Sequence, residues 1–156
     1  MFLNLIVLLL YAGSLVPGQS ARHPYPRRAK PRRSSAILKV RSTEEVLRLV
    51  KNLRAQGATV ALTNDKVSQP FFSVASRIIN VNGQGVQVFE YAQPSKADSE
   101  AKRVSSNGMT IGTSKPSWLS TPHFFKTEKL IVLYVGYDQT ILRILQSALG
   151  NQFAGG

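Results

Sequence analysis

Side chains able to do acid–base or metal chemistry are scarce in this sequence. Its 156 residues include two histidines, eight acids and no cysteine. Without a thiol there is no disulfide framework, thiol nucleophile, zinc–thiolate finger or iron–sulfur ligand set. His23 lies in a basic tract, and His123 sits between Pro122 and the pair Phe124-Phe125. A zinc site on His123 would draw its other ligands from carboxylates, and no H-E-x-x-H spacing is present, so no metal is expected. As a general base His123 needs an orienting carboxylate, with Asp65, Glu128 and Asp138 as candidates; that arrangement would make the chain a small hydrolase. The same ring can instead make a rim contact or a structural hydrogen bond to nearby backbone. G-x-S-x-G elbows and Walker loops are absent. Glu90 is an acid inside a strand pattern, without a recognisable second carboxylate for glycosidase chemistry. No catalytic residue and no cofactor is assigned on these grounds.

Aromatic placement is more informative. Phe71, Phe72, Tyr91, Trp118, His123, Phe125 and Tyr137 lie on or next to predicted strands. A core absorbs some of these rings, and the rest can line a concave apolar patch for a small ligand or a protein partner. These seven are the candidate ligand-binding residues.

The elements that must position them follow from periodicity. Ser42 or Thr43 can cap a helix, Glu44 and Glu45 suit its first turn, and Val46, Leu49, Val50 and Leu53 recur at helical spacing. Gly57 ends that helix and ATVALT follows as a strand, with Asn64-Asp65 expected to turn the chain. A strand from Phe71 to Val81 is expected to reach the hairpin dipeptide Asn82-Gly83. In the returning strand Val86, Val88 and Glu90 alternate against Gln87, Phe89 and Tyr91, so both of its faces carry bulk. Pro94-Ser95 opens a second helix, expected to run to Ser106-Asn107-Gly108 with Ala97, Ala101 and Val104 inward. Short extended pieces are expected at Ile111, Trp118–Leu119 and His123–Phe125, followed by a strong strand from Leu130 to Val135. Asp138 caps a last helix that carries Ile141, Leu142, Leu145, Ala148 and Leu149 and stops at Gly150, after which Phe153 can fold back. Strand, polar turn and helix therefore occur twice in the same outline. The fold class is α+β, a single mostly antiparallel sheet with about three helices packed mainly on one face.

Charge divides the chain. The net charge is +12, from 20 basic and 8 acidic side chains. The segment before Ser42 contributes +8 without an acid, and the remainder contributes only +4. Residues 1–20 read as a signal peptide or hydrophobic leader, because the apolar run Met1–Val16 is short for a span and small residues near Ser20 suit cleavage. Residues 21–41 read as a basic linker broken by Pro24, Pro26 and Pro31, and residues 42–156 as a small α+β domain. Positive charge directly after the leader also suits an uncleaved membrane tether. Arg22, Arg27, Arg28, Lys30, Arg32 and Arg33 can contact anionic surfaces nonspecifically, nucleic acid or lipid among them.

The runs VSQPFFSV, INVNGQGVQVFEY, SNGMTIG, PHFFKTEKLIVLYVG and LQSALGNQFAG resemble an uncharacterised family of small bacterial secreted proteins and lipoproteins. That resemblance implies an exported domain and brings no assigned activity or catalytic residues. Lipoprotein members would carry a lipobox cysteine, from which this chain departs. The leading expectation is a noncatalytic secreted or extracytoplasmic domain that binds a protein, an envelope component or a small ligand through strand-borne aromatics. The alternatives are the His123 hydrolase and an anionic-surface binder acting through the basic tract.

Overall fold

The computed structural model describes residues 43–156. The leader, the basic tract with Arg22, Arg27, Arg28, Lys30, Arg32 and Arg33, and Ser42 lie outside the described residues. The elements run α1 (Glu44–Ala55), β1 (Val60–Val67), β2 (Ser76–Val81), β3 (Gln84–Glu90), α2 (Pro94–Ala101), β4 (Pro122–Thr127), β5 (Leu130–Val135), α3 (Gln139–Leu149) and β6 (Ala154–Gly155). The six strands form one sheet in the order β1-β2-β3-β5-β4-β6, with every neighbouring pair antiparallel.

Side-chain alternation on the central strands feeds two cores. Val86 and Val88 of β3, with Leu130, Val132 and Tyr134 of β5, pack under α1 and α3 against Leu49, Leu53, Ile141 and Leu145. Phe89, Tyr91, Ile131 and Leu133 point the other way, toward Ala97 of α2 and the rings of Phe71, Phe72 and Phe124. Two of the three helices therefore share one face, while α2 and its long connection cover part of the other.

The opposite placement of α2 and α3 follows from chain direction. The connection β3–α2–β4 and the connection β5–α3–β6 each step over one strand toward the β6 edge. Because β3 and β5 run antiparallel, two crossovers in the same lateral direction keep the same hand only when they use opposite faces. The repeated strand–turn–helix outline is thus one unit on each side of the sheet.

Local chemistry explains most element ends. Asn82 and Gly83 both adopt positive φ, 50° and 82°, as a tight two-residue hairpin turn demands. The Asn82 Oδ1 also accepts from Thr59 N at 2.8 Å, tying the start of β1 to the turn. The Asp138 carboxylate caps α3 by accepting from Thr140 N at 2.8 Å and Ile141 N at 3.3 Å. Thr43 occupies the N-cap position of α1 in extended geometry but makes no side-chain cap bond.

Three boundaries differ from expectation. Asn64-Asp65 does not turn the chain but lies within β1, at an irregularity between Leu62 and Lys66. There the Thr63 hydroxyl donates to Ile78 O at 2.8 Å and accepts from Asp65 N at 3.1 Å, so a side chain replaces the interrupted ladder. Phe71 and Phe72 precede β2 rather than belonging to it, because Pro70 and the bends after it hold the backbone off the ladder. The second helix ends at Ala101, where Val104 turns out to bridge Ile111.

Phe89 is fully buried on β3 and meets Phe72 edge-on at 4.7 Å between ring centroids. Phe89→Ala should therefore cost about 3–5 kcal/mol, read as a lowered denaturant midpoint. An effect below about 1 kcal/mol would show that this face does not carry a core.

Candidate functional site

The seven residues singled out by type do not converge. Phe71, Phe72, Tyr91 and Trp118 belong to the α2 face, while Phe125 lies in the core beneath α1 and α3. His123, two residues before Phe125 on β4, shares its face. Tyr137 stands in the turn after β5 with 81% of its surface exposed. Phe72 at 7% and Phe125 at 2% exposure serve the cores and offer little to a ligand.

Two of the seven, Phe71 and Trp118, meet at a groove of about 620 Å³. One wall is Pro70 and Phe71 from the β1–β2 connection, and the other is Pro116, Trp118 and Leu119 from the α2–β4 connection. Gln87 of β3 and Val135 of β5 form the floor. The Phe71 and Trp118 rings are 5.7 Å apart and nearly perpendicular. Trp118 also meets Phe124 at 6.0 Å, and Phe71 meets Phe72 at 5.1 Å, so the groove wall is continuous with a packed aromatic cluster. The Trp118 indole N–H donates to Gly108 O at 3.0 Å, which fixes the ring in an otherwise irregular connection. Leu119 projects fully into solvent at the lip.

The floor is polar and organised. Gln69 Nε2 donates to Gln87 Oε1 at 3.1 Å. The fully buried Ser76 hydroxyl lies 3.2 Å from the same oxygen and 3.0 Å from Val67 O, sharing its one proton between two acceptors. Gln69, Gln87, Pro116 and Leu119 were not picked out by residue type. A usable sign was present for Gln87, the one polar side chain in the inward phase that Phe89 and Tyr91 define.

His123 is 6% exposed, and each ring nitrogen faces an oxygen, of which a neutral ring donates to one. Its Nε2 lies 3.0 Å from Gly136 O and its Nδ1 2.8 Å from Gln152 Oε1. Gln152 in turn donates through Nε2 to Gly155 O at 2.9 Å, so the ring links the end of β5 to the C-terminal strand. Asp138 is committed to the α3 cap, and none of the three carboxylates proposed to orient His123 is its hydrogen-bond partner. One ring nitrogen thus faces backbone, Gly136 O, and the other the Gln152 side chain. Close approach of backbone enforces glycine at Gly155, where a Cβ would collide with Pro122 O, and a Cβ on Gly136 would displace the Tyr134 ring.

Tyr91 is buried to 3% exposure, and its hydroxyl has no hydrogen-bond partner among the described residues. Burial above all, and then the Glu100 carboxylate, push this phenol above the ordinary tyrosine range, with Arg103 opposing them. Glu90, on the face opposite Tyr91, is partly exposed at the end of β3 near Lys129. It therefore avoids the cost of full burial. Among the described residues no group of three or more His, Asp or Glu side chains could hold a metal ion.

Comparison of the chain with family models, curated proteins and solved structures finds no match.

Two outcomes follow from these buried polar groups. His123→Ala should retain the fold and cost about 1–3 kcal/mol, because it strips partners from Gly136 O and Gln152; unfolding titrations monitored by circular dichroism measure this, and an unchanged midpoint would contradict it. Tyr91→Phe should stabilise the protein by about 1 kcal/mol, since it removes an unsatisfied hydroxyl. The pH dependence has a definite sign. A phenol whose ionisation is held up in the folded chain keeps its proton where the unfolded chain has lost it. Stability is untouched below the ordinary tyrosine range near about pH 10 and falls above it, by up to about 1.4 kcal/mol per pH unit. Unfolding of both proteins between about pH 8 and 11 should show that extra slope in the wild type and not in Tyr91→Phe.

Proposed function

We propose that this chain is a noncatalytic binding domain acting outside the cytoplasm, and that the groove between Phe71 and Trp118 takes a small, largely apolar ligand. The observation that carries this reading is the groove itself. Its volume of about 620 Å³ is in the range of small-molecule sites, and apolar walls with a few placed polar groups are the usual composition of such sites. Both walls come from connections and the floor from central strands, so loop segments rest on a rigid support. Among the described residues neither a histidine nor a carboxylate lines the groove, which suits binding rather than acid–base turnover. Action outside the cytoplasm is supported by the apolar run from Met1 to Val16 and by the resemblance to secreted bacterial proteins.

Trp118 is the single tryptophan of the protein, so energy transfer starts from the groove wall, and the Leu119 variant ties the signal to the groove. Titration with a neutral aromatic fluorophore, phenylnaphthylamine, should give saturable energy transfer from Trp118. Leu119→Asp should weaken that binding at least tenfold with an unchanged unfolding midpoint, because Leu119 is fully exposed and contributes to the lip rather than to a core. Absence of saturation, or affinity indifferent to Leu119→Asp, would overturn the assignment.

A further inference from the structure

Which ligand chemistry the groove selects can be read from its polar atoms, an inference that rests on the groove being the binding site. We propose that it selects an apolar anion: an aliphatic or aromatic body ending in a carboxylate-type or sulfonate-type head group.

Three observations lead there. Lys115 is the one charged side chain lining the groove, it is exposed, and it forms no ion pair among the described residues. A ligand head group at this end therefore meets a positive charge with no protein carboxylate to compete for it. The second observation is the Gln87 amide. Its Oε1 is held by the Gln69 amide and approached by the Ser76 hydroxyl. Turning both amides over together would keep the Gln69–Gln87 bond and let the Ser76 hydroxyl accept while it donates to Val67 O. In either orientation Gln87 offers the groove floor an uncharged polar atom without a partner among the described residues, and the charge preference comes from Lys115.

The third observation concerns Trp118. Its N–H is consumed by Gly108 O, so the indole presents apolar ring surface rather than a donor. Phe71, Pro70, Pro116 and Leu119 extend that surface. Apolar walls, an uncharged amide on the floor and one cation without an ion pair among the described residues complement a molecule with an apolar body and an anionic end. A cationic amphiphile would face Lys115, and a neutral one would leave its charge unused.

A matched pair of probes tests this on the full chain. Anilinonaphthalene sulfonate and phenylnaphthylamine share the same aromatic body and differ in the sulfonate. Both are titrated by energy transfer from Trp118 into wild type, Lys115→Gln and Lys51→Gln. Lys51 lies on exposed α1, on the opposite face of the sheet, so its substitution removes the same charge at a distance. The sulfonate should bind wild type roughly three- to tenfold tighter than the neutral analogue. Lys115→Gln should remove most of that preference without altering the neutral probe, and Lys51→Gln should leave both affinities unchanged. Equal affinity for the two probes would overturn the anion preference while leaving the groove as a binding site. A loss as large with Lys51→Gln as with Lys115→Gln would trace the preference to the overall positive charge and overturn it as well. Failure of both probes to reach Trp118 would remove the binding site together with its selectivity.

Discussion

The pairing of β3 with β5 is the constraint on which the rest of the molecule depends. It joins the meander β1–β2–β3 to the hairpin β4–β5, two pieces that are otherwise far apart in sequence. Across the seam Val86 faces Tyr134, Val88 faces Val132 and Glu90 faces Leu130, with Gln87–Leu133 and Phe89–Ile131 between them. Each successive pair points to the opposite side. Both sides are apolar at the seam, so neither can face water, and α1 with α3 must cover one while α2 and its connection cover the other. A one-residue slip of β3 against β5 would send Val88 into the aromatic cluster and Phe89 beneath α1 and α3.

Polar groups inside this frame are few, and each has a structural consequence. Ser76 is the hub between β1 and the Gln87 amide. His123 holds the short β6 through Gln152, and β6 is further fixed by Gly155 N donating to Ser106 O at 2.8 Å and Phe153 N donating to Phe124 O at 2.9 Å. Phe153 thus returns to the aromatic layer, its ring 6.1 Å from that of Phe124. The bond between Lys126 and Asp98, 2.7 Å, connects β4 with α2 on the same side. Among the described residues Tyr91 alone leaves a buried hydroxyl unmatched, a local cost that the surrounding apolar burial offsets.

The groove exists because two connections, not two strands, meet over the α2 face. α2 is short, eight residues, and lies toward the Tyr91 end of β3. It leaves the sheet near Gln87 and Val135 to be covered by residues 69–71 and 114–119. Pro70 and Pro116 restrict their backbones, and Trp118 is held by its indole bond. These constraints keep a concave surface from collapsing onto the floor. The aromatic cluster behind the walls serves stability and shape together, and the same rings that seal the second core supply the apolar wall.

Much of the architecture was legible in the sequence by itself. Helical spacing placed Val46, Leu49, Val50 and Leu53 on the buried face of α1, Asn82-Gly83 marked the hairpin, Asp138 the cap and Gly150 the stop. The α+β class with an antiparallel sheet followed from those signals. All of them are local, because periodicity and turn chemistry act over a few residues. The failures are local signals put to another use by distant partners. Asn64-Asp65 carries turn residues, yet Ile78 on the next strand turns them into an irregularity of β1. Phe71-Phe72 has strand character, yet its rings are drawn out of the ladder by Phe89 and Trp118. Residue type also grouped His123, Phe125 and Tyr137 with Phe71 and Trp118, although the sheet puts them on opposite faces or in solvent. Only the tertiary structure decided that residues 69–71, 87, 114–119 and 135 share one groove, because that convergence is set by strand order and by which crossover covers which face. Neither leaves a mark within the span of a single helix or hairpin.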